Sequence, residues 1–205
     1  MENSKGVTYK PGDMIYKSKP YVRVIRQDLW DKVCGYCLKD YMKLKRCGSC
    51  QKIKYCGKIC QKAAWNDHKL ECPFLPGYVN EPNQLLIHLT GNLILKIKGK
   101  DWKSITENVA GKVVSFDDLA SHATEMNTPW NEFVIKNTQQ CLERYIGKDN
   151  VPDEETLLAI VRKVACNNFT FGGENPVIRA LFIGASKFDH SCVPNAKHEF
   201  PGEHD

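Results

Sequence analysis

From about residue 83 the apolar positions recur at helical spacing. Leu85, Leu86, Leu89, Leu93, Ile94 and Ile97 line one face, and Gly99 follows as a stop. Ser115 with Asp118 three residues on predicts a capped helix start. Pro129 opens a longer helix whose Trp130, Phe133, Val134, Cys141, Leu142 and Ile146 share a face, ending at Gly147. Asp153-Glu154-Glu155 starts another, with Leu157, Leu158, Ile160, Val161 and Val164 as its apolar side. The pattern before residue 34 is different. Met14-Ile15-Tyr16 and Tyr21-Val22-Arg23-Val24-Ile25 are β-branched and aromatic, flank Pro20, and predict two short strands. From Phe169 onward Gly172-Gly173, Pro176, Gly184 and Pro194 break any helical period, so that stretch predicts loops and strands. No internal repeat or low-complexity tract occurs.

Residues 34–72 fit neither pattern. They hold few aliphatic side chains and cannot build a core of their own. They do hold seven of the chain's ten Cys. The spacing is Cys34-x2-Cys37, Cys47-x2-Cys50, Cys56-x3-Cys60, then His68-x3-Cys72. Eight such donors suffice for two tetrahedral zinc sites, each C-x2-C setting two thiolates on one tight turn. Residues four apart share a helix face, so Cys56 with Cys60, and His68 with Cys72, are each placed to clamp one ion. Disulfides, free thiols or an iron–sulfur cluster are the other readings. The opening Met1–Lys5 has no apolar run of a secretory signal, which favours reduced thiols and metal over disulfides. Two structural zincs, each contributing on the order of 10–16 kcal/mol of apparent binding energy, would replace the missing core. Cys141, Cys166 and Cys192 lie elsewhere and read as small buried residues.

The remaining composition narrows little. The 205 residues carry a formal charge of +5, with 42% hydrophobic and 26% charged, which is globular. No apolar run approaches the ~20 residues of a membrane helix. Residues 32–72 hold ten Lys/Arg against three Asp/Glu. With seven thiolates and two divalent ions the balance is about +4. That surface suits an acidic peptide or a nucleic-acid backbone, or is simply solvated; the case for DNA rests on charge alone.

The ligand order resembles a MYND zinc finger. It is carried by Tyr55-Cys56 and by Cys60-Gln61-x3-Trp65-x2-His68-Lys69-x-Glu71-Cys72. The resemblance implies interleaved sites: Cys34, Cys37, Cys56 and Cys60 on one zinc, Cys47, Cys50, His68 and Cys72 on the other. It also implies a protein partner, in particular a proline-rich peptide, with Trp65 and Tyr55 as candidates for the groove or for packing beside the metals.

Further on stands Gly184-Ala185-Ser186-Lys187-Phe188-Asp189-His190-Ser191-Cys192-Val193-Pro194-Asn195. Cys192, His190 and Asp189 are too close in sequence to form a nucleophilic triad. The stretch is similar to the N-H-S-C-x-P-N motif of SET-domain lysine methyltransferases. Cys166-Asn167-Asn168-Phe169-Thr170 resembles a C-N-S-F stretch of the same enzymes. With a finger upstream and Pro11-Gly12-Asp13 before it, the order resembles the SET-and-MYND family. That implies an α+β fold: a split SET-type β core with an inserted MYND zinc finger and a helical middle region. The divisions are 1–33, the first part of the SET domain; 34–72, the finger; 83–168, the helical insert; and 169–205, the second SET segment. It implies S-adenosylmethionine as cofactor, contacted by Asn167, Ser186, Asp189 and His190, with Asn195 holding the core. Substrates would be histones or other lysine-bearing proteins.

The sequence departs from that family in three places. Asp189 stands where the family has Asn, keeping acceptors but losing amide donors. No G-x-G loop precedes Pro11, where Lys5-Gly6 is the nearest match. The family's Gly-Glu-Glu-Leu strand, catalytic Tyr and third zinc cluster have no counterpart by Asp205, and every Tyr lies upstream of Asp189. The expectation is therefore a methyltransferase homologue with no catalytic residue assigned, or else a non-catalytic zinc-dependent interaction module. Either resides in the nucleus or the cytoplasm.

Overall fold

Val22, Val24 and Ile25 are β-branched and buried, and Val22–Ile25 forms strand β1. A computed structural model describes residues 8–40, 42–78, 84–109, 111–122, 129–172, 177–188 and 191–199, with side chains described for all of these but 129–135. β1 does not pair with its sequence neighbours. It pairs antiparallel with β7 (Ile178–Leu181), Val22 opposite Leu181 and Ile25 opposite Ile178. β6 (Asn168–Phe171) flanks β7 on its other side, giving the order β1-β7-β6. The near and far parts of the chain thus share one sheet, and everything between them is inserted. The predicted strand at Met14–Tyr16 joins no ladder; Met14 is 70% exposed.

The inserted part contains two small hairpin strands, β2 (Lys45–Arg46) and β3 (Lys54–Tyr55), followed by helix α1 (Lys58–Glu71). Helix α2 (Gln84–Ile97) comes next and lies against β1, β7, α1 and two later helices, α3 (Pro129–Ile146) and α4 (Glu154–Asn167). It is central, so Ile87, His88, Leu89, Gly91, Leu93, Ile94 and Ile97 are all buried. Gly91 marks the closest approach: a Cβ there would meet the Tyr145 ring at 2.7 Å. Leu89, Leu93, Leu142, Ile146, Leu157 and Val164 are fully buried. Each contributes roughly 1.5–3 kcal/mol by removing its side chain from water. The helix stops match the sequence. Gly99 and Gly147 sit at φ +73 and +81, and the Asp153 carboxylate accepts from Thr156 N–H at 3.0 Å.

Two features differ from expectation. A hairpin, β4 (Thr106–Val109) with β5 (Lys112–Ser115), precedes the predicted capping box. The box itself closes, Ser115 N–H onto Asp118 at 2.8 Å and Asp118 N–H onto Ser115 Oγ at 3.2 Å. Yet a turn follows, not a helix, through residue 122. The turn buries Phe116 against Trp102 and is held by Lys163 Nζ, which donates to Asp117 O (2.6 Å) and Leu119 O (3.1 Å). The whole is α+β. No helix among the described residues is long and apolar enough to cross a membrane.

Candidate metal centre

Two tight turns start the finger. Leu38 N–H bonds to Cys34 O at 3.0 Å, and Gln51 N–H to Cys47 O at 3.1 Å. Both Leu38 and Gln51 take positive φ (65 and 57), so the two C-x2-C loops are copies of one another. Cys47 N–H also bonds Ile53 O across the β2–β3 hairpin. Cys56 precedes α1, separated from it by extended Gly57, so Cys56 and Cys60 do not share a helix face as their spacing predicts. α1 carries Cys60 in its first turn and His68 in its last, with Cys72 at its cap. At 1.5 Å per residue, Cys60 and His68 stand about 12 Å apart along the axis.

The structure gathers all eight donors into two groups. Cys34, Cys37, Cys56 and Cys60 form the first; Cys47, Cys50, His68 and Cys72 form the second, with the ligand atoms of each within 4.8 Å of one another. A tetrahedral zinc with Zn–S near 2.3 Å and Zn–N near 2.0–2.1 Å needs S···S edges of about 3.8 Å and S···N edges of about 3.6 Å. Cys37–Cys56 is 3.9 Å, Cys47–Cys72 3.8 Å, and Cys50 Sγ to His68 Nε2 3.6 Å. Cys56–Cys60 is tighter, at 3.3 Å. None of the seven cysteines in these two groups is in a disulfide. The dimensions are those of two zinc sites.

Electrostatics agree. Burial raises the Cys34 thiol, but the backbone N–H groups of Cys56, Tyr36 and Cys37 more than reverse it, to about 7. Cys47 is likewise raised by burial and brought to about 7 by the N–H groups of Cys50 and Ser49 and by His68. Burial pushes Cys50 up to about 11 despite two backbone N–H groups, helped by the charges of Cys72 and Cys47. Burial, then the hydrogen bond with Cys56, also pushes Cys60 up. Thiolates this crowded suppress one another's ionisation, and a divalent cation among them is what lets all deprotonate.

His68 presents Nε2 to the second group and turns Nδ1 to Glu71 Oε1 at 3.0 Å. A proton on Nδ1 is the tautomer that leaves Nε2 free to ligate. Glu71 also accepts from His88 Nε2 (2.9 Å) and Asn92 Nδ2 (2.5 Å) on α2. Burial acts to raise its carboxyl, and the bonds from His68 and His88 outweigh that, holding it at about 2. Glu71, His88 and Asn92 were not assigned from the sequence. The spacing of Glu71, three residues past His68 on one helix, was the available signal. The first group meets the body through β1, where Arg23 donates to Tyr36 O at 2.5 Å and lies over its ring.

Trp65 is 45% exposed and lines an open groove with Lys58, Gln61 and Lys62. Tyr55 is buried, edge-on to His68, and takes no part in that groove. Of the residues proposed for a cofactor, Asn167 and Ser186 meet: Ser186 Oγ donates to Asn167 O at 3.2 Å. The Asn167 amide donates to Ala120 O and Lys163 O, both at 2.7 Å, so those hydrogens hold the neighbouring loop. Asp189 and His190 lie outside the described residues. Asn195 is exposed. Cys141 is buried as expected, whereas Cys166 and Cys192 are exposed.

Comparison with known proteins matches residues 34–72 to the MYND finger family. Histone-lysine N-methyltransferase SMYD3 of Mus musculus is 28% identical over 202 residues, covering 95% of this chain and 46% of that protein. SET domain-containing protein 14 of Caenorhabditis elegans is 26% identical over 189 residues, covering 90% and 42% respectively. N-lysine methyltransferase SMYD2 of Homo sapiens is 25% identical over 197 residues, covering 95% and 45%. The chain spans less than half the length of each of these relatives.

Proposed function

Because the chain belongs to the SET-and-MYND family, we propose that it is a protein-lysine N-methyltransferase scaffold of split-SET architecture that uses S-adenosylmethionine and carries two structural zincs. Residues 1–33 and 169–205 are the two parts of the SET core, 34–72 the inserted finger, and 83–168 the helical insert. The observation that supports this reading is the pairing of β1 with β7. Two strands pair residue for residue although the finger and every long helix lie between them in sequence.

S-adenosylmethionine would supply an electrophilic methyl group on a sulfonium sulfur. On this chain, Asn167 and Ser186 fix the segment that leads into Asp189 and His190. Ser186 also donates to Phe182 O, which pins the turn after β7. Gly184 N–H donates to Glu107 Oε2 at 2.9 Å, and the Tyr16 hydroxyl donates to the same carboxylate. Those contacts draw the first segment, the β4–β5 hairpin and the cofactor segment together. A substrate lysine, on a histone or another protein, must arrive neutral. No side chain here is assigned as its base, so its proton leaves to solvent. The finger docks a protein partner, a proline-rich peptide at the Trp65 groove. Reduced thiols suit a nuclear or cytoplasmic setting.

The test is calorimetry of the zinc-loaded chain with S-adenosylmethionine, together with radiolabel transfer to histones and lysine peptides. Binding heat and transfer are expected; neither appearing would remove the methyltransferase reading. A second reading has its own support: the finger's donor set is complete, while Asp189 replaces an Asn of the family motif. There the chain is a zinc-dependent recruiting module without catalysis. Wild-type protein and Cys47→Ser would then capture different partners, and identical partner sets would end that reading.

A further inference from the structure

We propose that Glu71 is the positioning residue that ties the second metal site to helices α2 and α3, so that occupancy of this site, rather than of the first, governs how those helices pack. The proposal rests on the zinc reading above. The two sites differ in surroundings. Every donor of the second is buried, whereas in the first only Cys34 is. The first reaches the body through Arg23 of β1. The second reaches α2 through the Glu71 carboxylate, with the Lys96–Asp67 pair as a further tie between α1 and α2. One oxygen of Glu71 orients the His68 ring, and the other accepts from both His88 and Asn92, a full turn apart on α2.

The chain of contacts continues. Asn92 Oδ1 accepts the Tyr145 hydroxyl of α3 at 2.7 Å. His88 is boxed by the rings of Trp30 (5.7 Å), Tyr78 (5.2 Å) and Tyr145 (5.5 Å). None of these polar groups has room to turn away, because His68, His88 and Tyr145 are each under 5% exposed. A carboxylate that accepts three N–H bonds in such a place fixes all three donors at once. A bond that holds a metal-bound imidazole ordinarily shapes metal affinity. Here the same carboxylate also joins two helices, so the coupling must run both ways.

The test uses the full zinc-loaded chain, with zinc affinity read by competition against a chromophoric chelator and helix opening read by amide hydrogen exchange. Glu71→Gln keeps the shape but sets an amide donor against Asn92. One zinc of the two should weaken about 10–100-fold, the usual cost of losing such a partner, and α2 and α3 amides should exchange faster. Adding Asn92→Asp reverses the donor and acceptor across that bond and should restore much of both. Cys34→Ser should loosen the first site and leave α2–α3 exchange unchanged. If Glu71→Gln does not fold, Asn92→Ala serves: it touches no ligand, yet the same zinc should weaken several-fold. Unchanged zinc affinity in both variants, or equal loosening of α2–α3 by Cys34→Ser, would overturn the proposal. A wild-type chain that binds no zinc would instead end the zinc reading itself.

Discussion

Replacing Gly91 by Ala tests whether α2 and α3 pack as tightly as described. In a solvent-exposed helix the change would stabilise by about 0.8–1 kcal/mol, because Ala is the better helix former. Here the new methyl would lie 2.7 Å from two carbons of the Tyr145 ring and 3.3 Å from Ile146 Cγ2. Ordinary contact is near 3.5–4.0 Å, so the ring or the helix must move by about 1 Å. The ring has little freedom. Its hydroxyl is bonded to Asn92, Tyr78 lies edge-on at 4.6 Å, and the residue is 4% exposed. Overpacking of this kind costs about 1–3 kcal/mol. Set against the propensity gain, the net expectation is a loss of about 0–2 kcal/mol. Urea unfolding in zinc-saturated buffer measures it, as a lower midpoint with unchanged slope. Tyr145→Leu in the same background should shrink the penalty, because it removes the obstructing ring. A Gly91→Ala protein more stable than wild type would refute the close approach of the two helices.

Other outcomes follow from single contacts. Chelation of purified protein should release two zincs and abolish ordered signals of residues 34–72; a chain that keeps its spectrum when stripped would deny that metals organise the finger. Lys163→Met removes two bonds to the 117–119 turn, and a loss of about 1.5–3 kcal/mol is expected, read by thermal unfolding; no change would mean the ammonium holds nothing. Backbone and side-chain bonds from Thr156 hold the Asp153 carboxyl below its usual range. A depressed folded pKa stabilises above the unfolded value of about 3.9, and that help fades as pH falls through the folded value. Carboxyl NMR titration should place the Asp153 midpoint below the ordinary range, and a normal midpoint would contradict the cap.

Much of the fold was legible because its signals are local. The Cys/His spacing names the finger, and a period of 3.6 names α2, α3 and α4. Signals that depend on distant partners were not. Met14–Tyr16 has strand composition but joins no ladder, since composition cannot supply a partner. The capping box at Ser115 is real as a set of bonds, and those bonds close a turn as readily as a helix. The β4–β5 hairpin is hard to read because the poor strand formers Glu107 and Asn108 separate Thr106 from Val109, and Val113-Val114 is too short a run to stand alone. Cys166 looked buried by residue type, yet Val164 and Asn167 face inward on α4 and leave it on the outer side.

The Glu71 network was illegible for a deeper reason. Its bonds span 17, 21 and 53 residues, so no periodicity connects them. A carboxylate beside a metal-binding Cys reads as surface charge until α2 is placed against α1. That placement is itself fixed by several contacts. Lys96 of α2 reaches both Asp67 of α1 (2.7 Å) and Tyr21 O beside β1 (2.6 Å). Lys54 pairs with Asp31 at 2.6 Å. With Arg23 at the other end, the finger is anchored to the sheet and to the helices at once. A module anchored on two sides cannot pivot freely, so the Trp65 groove keeps one orientation to the sheet. Any partner seated on that groove is therefore presented to the β1-β7-β6 sheet at a fixed angle, which a finger on a loose linker would not provide.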